Sequence, residues 1–291
     1  MHRMLSTREF AQALGVSESS VRRMADAGEL QIHRTRGGHR RIPVAEAVRY
    51  VRETRARVSR PDLLGLSADP GMIPRKSFDD RMHRALLEGH AAQVISLVQG
   101  MYASGVSIAE ICDGPIQAAM QRIGDQWPHD RRAIFVEHRA TTLCIRALHQ
   151  LRSAMPDPDE AAPEAIGAAP AGDSFSLPAV MVAIALHECG LNETCLGPNT
   201  PIDVVTDAVE DERPALAWLS ISVPLASRTA ERQLLQLAEV AQASGTELII
   251  GGRHAKDVQV PPGTGIRVLQ DVSEMTEFAT DLMKARADAK A

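Results

Sequence analysis

Two groups of residues have the types and spacing for chemistry. Trp127 is one of two tryptophans in the chain, and the pair Glu137 and His138 begins ten residues after it. A broad indole can cover a flat apolar ligand, and an acid beside an imidazole can shape the polar part of the same pocket. A tryptophan at a helix end also serves as core packing, so the spacing alone leaves both readings open. The second group is TRGGHRRI, residues 35–42, where Arg36, His39, Arg40 and Arg41 surround a Gly-Gly pair. Cations on a thin glycine-tipped turn suit close approach to phosphate. The order of residues offers no general acid/base pair, nucleophile triad or phosphate loop. GDS at 172–174 lacks the G-x-S-x-G turn, and the chain is expected not to be an enzyme.

Elements must position these groups, and composition bounds what they are. A length of 291 residues suits two or three domains, and 44% hydrophobic with 24% charged residues describes an ordinary globular protein. Aromatic content of 3% argues against a stacking platform for single-stranded nucleic acid. The four cysteines, Cys112, Cys144, Cys189 and Cys195, form no CxxC pair, which argues against a structural zinc site or a disulfide framework and for a reducing, cytoplasmic setting. MHRMLSTREF lacks a signal-peptide core, and LPAVMVAIAL is too short to span a membrane. Charge is uneven. Residues 1–60 hold 13 basic and 6 acidic side chains, a balance of +7, and the remainder holds 19 and 31, a balance of −12. A basic head on an acidic body fits a polyanion met by the head alone, or else a solvated basic surface.

Ser6 and Glu9 form a capping box that opens a helix ending at Gly15, and Ser17 caps a second helix through Ala27, closed by Gly28. Phe10, Leu14, Val16, Val21, Met24 and Ala25 are expected to face one another across the turn. Glu18, Ser19, Ser20, Arg22 and Arg23 then point outward. LQIHRTRGGHRRI predicts two short strands about the glycines, and VAEAVRYVRETRARV a third helix. The expected domains are a head at 1–57, a Pro- and Gly-bearing linker at 58–75, four helices as a cap at 76–155, a linker at 156–163, and an α/β domain at 164–291. Within the cap, Ser107 and Pro115 lie near the start of a helix running toward Trp127, and Ala133 to Ala154 forms another. In the last domain five strand-like runs alternate with helical stretches at 176–189, 202–211, 226–244 and 273–288, which predicts a doubly wound parallel sheet. The fold class is therefore multidomain α and α/β.

The helix–turn–helix with its GGHRR hairpin resembles the winged helix-turn-helix of MerR-type and excisionase-type proteins. That resemblance implies a double-stranded DNA operator. Ser19, Ser20, Arg22 and Arg23 would enter the major groove, and Arg36, His39, Arg40 and Arg41 would lie on the wing. One head covers few base pairs, so a dimer or tetramer on repeated half-sites is expected.

The four-helix bundle followed by a flavodoxin-like sheet resembles cobalamin-binding modules. The whole order is similar to the cobalamin-dependent photoreceptor repressors of carotenoid genes. The resemblance implies that Trp127, Glu137 and His138 lie over the upper face of the corrin, and that Ser220, Ser222, Gly251 and Gly252 lie near the nucleotide tail. The lower ligand departs from the pattern. Where the family has Asp or Glu, any residue, then His, this chain reads Asp173-Ser174-Phe175, and Pro178 stands where the family has Gly. Phe175 cannot ligate cobalt. Three outcomes stay open: cobalamin held without a histidine ligand; heme or another tetrapyrrole, with His138, His187, His254 or Cys189 as candidate ligand; or no cofactor and a purely assembling role. The function the resemblance implies is a transcriptional regulator whose sensor module, light-responsive in the family's manner, sets oligomerisation and operator binding. A protein-binding antirepressor and a corrinoid carrier are the alternatives.

Overall fold

Ser6 lies in an extended conformation and ends a three-residue strand, β1 (Met4–Ser6), before turning the chain into a helix. The computed structural model describes residues 4–35, 37–64, 75–126, 131–225 and 227–288. The Ser6 hydroxyl accepts from Glu9 N at 3.1 Å, and the Glu9 carboxylate accepts from Ser6 N at 2.7 Å, so the capping box forms as its spacing predicts. Helices α1 (Thr7–Leu14) and α2 (Glu18–Asp26) follow, then strands β2 (His33–Arg34) and β3 (Arg40–Pro43) and helix α3 (Val44–Thr54). β3 is the centre of an antiparallel sheet ordered β1-β3-β2. β1 is too short to show a periodic signal in sequence. Leu5 opposite Ile42 is what holds it, and both side chains are buried.

Phe10, Val21, Leu30, Ile42, Tyr50 and Val51 form the core of this part, with Phe10 and Tyr50 meeting edge to face at 5.9 Å. That aromatic pair contributes about 1 kcal/mol beyond its burial. Val16 departs from expectation. Gly15 takes a left-handed φ of 70° and reverses the chain, so Val16 is 40% exposed. Helix α3 ends four residues before its apolar pattern does, because Arg55 turns left-handed at φ 52°. The chain then folds back, and Val58 and Leu64, inside the stretch expected as a linker, are buried in the same core.

The chain divides into two compact units, Met1–Pro156 and Asp157–Ala291. The first continues with α4 (Arg75–Glu88), α5 (Ala91–Ala103), α6 (Ile108–Ile111), α7 (Gln117–Gln126) and α8 (Arg131–Arg152). Ser107 and Glu110 make a second capping box. Between α6 and α7 the helix widens into a π turn over Cys112–Ile116 that contains Pro115. The wider turn accommodates a residue that has no N–H to donate. Ala140, Cys144, Ala147 and Leu148 line the buried face of α8. Gly89, at φ 82°, admits the Arg139 guanidinium, which a Cβ would meet at 2.7 Å. Arg52 of α3 stacks 4.0 Å over the Tyr102 ring of α5, and Ala103 joins the head's core. Head and helical region are therefore packed together.

The second unit is an α/β layer structure, as the strand–helix alternation predicts. Strands β4 (Glu164–Ala168), β5 (Asn192–Cys195), β6 (Leu216–Ser220), β7 (Glu247–Gly251) and β8 (Ile266–Val268) form one parallel sheet ordered β5-β4-β6-β7-β8. Helices α9 (Leu177–Glu188), α10 (Ile202–Glu212), α11 (Arg228–Ser244) and α12 (Val272–Asp288) connect and follow them. Ala217 and Leu219 of β6, with Ile221 just after it, pack with Val205 and Val209 of α10 and with Leu234 and Leu237 of α11. Strand alternation sends Trp218 and Ser220 to the opposite side, where α9 lies against β4 and β6. The strand order places the carboxyl edges of β4 and β6 side by side, and the β4–β5 and β6 connections leave in opposite directions there.

Candidate functional site

The head presents its cations on two adjoining elements. Ser17 caps α2, and its hydroxyl contacts those of Ser19 at 2.8 Å and Ser20 at 2.9 Å. Arg22 is exposed and bonds Glu18 at 2.8 Å. The Thr7 hydroxyl, then Arg22, hold the Glu18 carboxyl below the usual carboxylate range. Arg23 is exposed and reaches Ser20 Oγ at 3.3 Å. In the hairpin, Thr35 N donates to His39 O, and Gly38 takes a φ of 77° at the tip.

The register puts basic residues side by side: His33 faces Arg41, and Arg34 faces Arg40. Arginines gathered on one thin ribbon attract an incoming polyanion. His33 and Arg34 thereby join the expected set of Arg40, Arg41 and His39. Both lie in the hairpin expected about the two glycines, and the pairing register shows which residues they face. Arg40 is already engaged within the head. Its Nη2 donates to Asp26 Oδ1 at 2.5 Å, tying the hairpin to the end of α2. Arg36 lies outside the described residues.

On α8, Glu137 is half-buried and His138 exposed, one turn after exposed Ile134 and Phe135, the latter 57% open. Trp127, the expected lid, lies outside the described residues.

At the carboxyl edge of the parallel sheet the loops are knitted by one acid. Asp173 is fully buried, and its carboxylate accepts from Phe175 N at 2.9 Å and from Ser222 N at 2.5 Å. Its carbonyl accepts from Asn199 N, and the Asn199 side chain accepts from Gly172 N at 2.8 Å. The loops after β4, β5 and β6 are thus joined at Asp173. Ser220 is buried, and the Ser222 hydroxyl is buried with no hydrogen-bond partner among the described residues.

The space expected for a ligand at Gly252 is already taken. Gly252 sits at φ 101°, and a Cβ there would meet Ile221 O at 2.7 Å. Its missing side chain serves the chain's own backbone. Gly251 has Leu269 O at 3.4 Å from the same construction.

The alternative metal ligands are scattered. His187 is buried against Glu193 at 3.0 Å, and His254 bonds Asp257 at 2.7 Å. Burial pushes the Cys189 thiol up to about 11. Among the described residues no three His, Cys, Asp or Glu side chains converge as a metal site.

These residues do not fit a corrinoid held from below by the chain. Phe175 has only carbon to offer and is 46% exposed. Asp173, which would orient a histidine, spends its carboxylate on two backbone N–H groups.

Comparison with known proteins bears on both units. Residues 4–55 match the family described as a helix-turn-helix domain, and residues 79–152 match a B12 binding domain. A search of curated protein sequences finds no match. The structure resembles that of the Methanosarcina barkeri monomethylamine corrinoid protein, with a TM-score of 0.53 at 15% identity, over 72% of this chain and 100% of that one. It also aligns with a cobalamin-binding protein of Desulfitobacterium hafniense DCB-2, with a TM-score of 0.33 at 15% identity, over 70% of this chain and 98% of that one. Among the described residues no helix is long and apolar enough to cross a membrane. Residues 4–55 are thus similar to helix-turn-helix domains and residues 79–152 to B12 binding domains, and the fold is similar to that of the monomethylamine corrinoid protein.

Proposed function

We propose that this protein is a DNA-binding transcriptional regulator with a MerR-type winged helix-turn-helix head. In this reading α2 enters the major groove with Ser19, Arg22 and Arg23, and the β2–β3 hairpin lies on phosphate as a wing. The observation that carries it is a hairpin that gathers Arg34, Arg40 and Arg41 with His33 in facing register, on an element tied to α2 by Arg40 and Asp26. A basic ribbon of this kind suits a polyanion. The helical region and the α/β unit then set how many heads gather on repeated half-sites, which multiplies affinity without new contacts. The cobalt ligand is missing and Asp173 is committed to backbone, which favours assembly over cobalt chemistry as the role of the sheet. No catalytic step is assigned.

The test is a gel shift with duplex from the promoter beside the protein's own gene, at moderate salt. The expected result is retention of that duplex against excess scrambled competitor, lost in an Arg41→Ala, His33→Ala chain. Equal competition by scrambled duplex would remove the reading.

A further inference from the structure

We infer that Trp218 is an internal plug, which closes the α/β unit to the nucleotide tail of a corrinoid. The inference deepens the reading above and rests on the unit's corrinoid-protein fold. A corrin laid on the carboxyl edge of this sheet can send a tail inward only through the layer between strands and helices. On the Ser220 side of β6 that layer is the space between β4, β6 and α9.

Trp218 fills it. The residue is 1% exposed and stands two positions before Ser220, on the same side of the strand. Its ring lies across β4 so closely that a Cβ at Gly167 would meet Cδ2 at 2.1 Å and Cε2 at 2.5 Å. Gly167 pairs with Trp218 across the two strands. Only glycine leaves room for the ring there, and the sequence has glycine.

The indole nitrogen is buried with no hydrogen-bond partner among the described residues. Leaving that donor unmet costs stability, so what tryptophan contributes at this place is bulk. Indole is a fused bicyclic aromatic, as is the benzimidazole base at the end of a cobalamin tail, and the two have nearly the same footprint. At the carboxyl edge above the ring, Asp173 accepts from the N–H groups of Phe175 and Ser222. The chain thus carries its own substitute for the tail base.

The experiment titrates the full chain with hydroxocobalamin and, separately, with dicyanocobinamide, a corrinoid without the nucleotide tail, followed by calorimetry and visible spectra. The expected wild-type result is no preference for cobalamin over cobinamide, including the case in which neither binds. Trp218→Ala should gain at least a tenfold preference for cobalamin. A tenfold preference already present in the wild type overturns the proposal. So does a Trp218→Ala chain that folds, by circular dichroism, yet gains none. Should that variant not fold, the wild-type comparison alone decides. Failure of the DNA-binding reading would appear as no specific duplex retention by the same preparation, and leaves this comparison unaffected.

Discussion

At the residue scale, the arginines of the head divide by what they already touch. Among the described residues Arg41 has no carboxylate partner, whereas Arg40 is held by Asp26 at 2.5 Å. Arg40 therefore acts as a strut that sets the hairpin against α2. On the salt dependence of duplex binding, Arg40→Ala is expected to lower affinity while leaving the slope of log K against log salt unchanged. Asp26→Ala releases the guanidinium for one further phosphate and steepens the slope by about 0.9. A shallower slope in Arg40→Ala would make Arg40 a phosphate contact instead.

The same kind of accounting applies to Gly167. A methyl there overlaps the Trp218 ring, so Gly167→Ala should destabilise the α/β unit by about 1–3 kcal/mol in urea unfolding. In a Trp218→Ala background the added cost should largely vanish, because the two residues share one contact. Equal costs in both backgrounds would show that the ring does not lie on Gly167.

At the element scale, caps and burial make separate predictions. Ser6 satisfies Glu9 N and receives the return bond from its carboxylate, so Ser6→Ala should lower stability by about 1 kcal/mol. On α8, burial pushes the Cys144 thiol up to about 12. A raised thiol pKa means less thiolate at any given pH, and thiolate is the nucleophile. Iodoacetamide at pH 8 should therefore leave Cys144 unmodified in the folded chain and label it fully in denaturant. Mass spectrometry reads both, and rapid native labelling would show that α8 opens.

The elements themselves were largely legible. Helical and strand periods, glycine stops and capping boxes act over a few residues, so α1, α2 and the strands of the parallel sheet follow from local pattern. β1 was not legible, because three residues carry no period. The π turn at Cys112–Ile116 was not either, because proline signals a break without saying how the helix absorbs it.

At the scale of the whole molecule, the basic head and acidic remainder fit a protein that meets DNA with one part only. A duplex with two half-sites should be half-saturated at a markedly lower protein concentration than one with a single half-site, in titrations at matched salt. Equal midpoints would mean that the copies act independently. The sequence by itself determined the division into a basic head, a helical region and a strand–helix alternation. Those features are local in chain or are matters of composition. Only the tertiary structure decided that Arg40 is bound to Asp26, that Asp173 clasps Ser222, and that Trp218 lies on Gly167. Each of those contacts joins residues far apart in the chain. Their energy depends on register and on the space between layers, and neither exists until the strands have paired and the helices have packed.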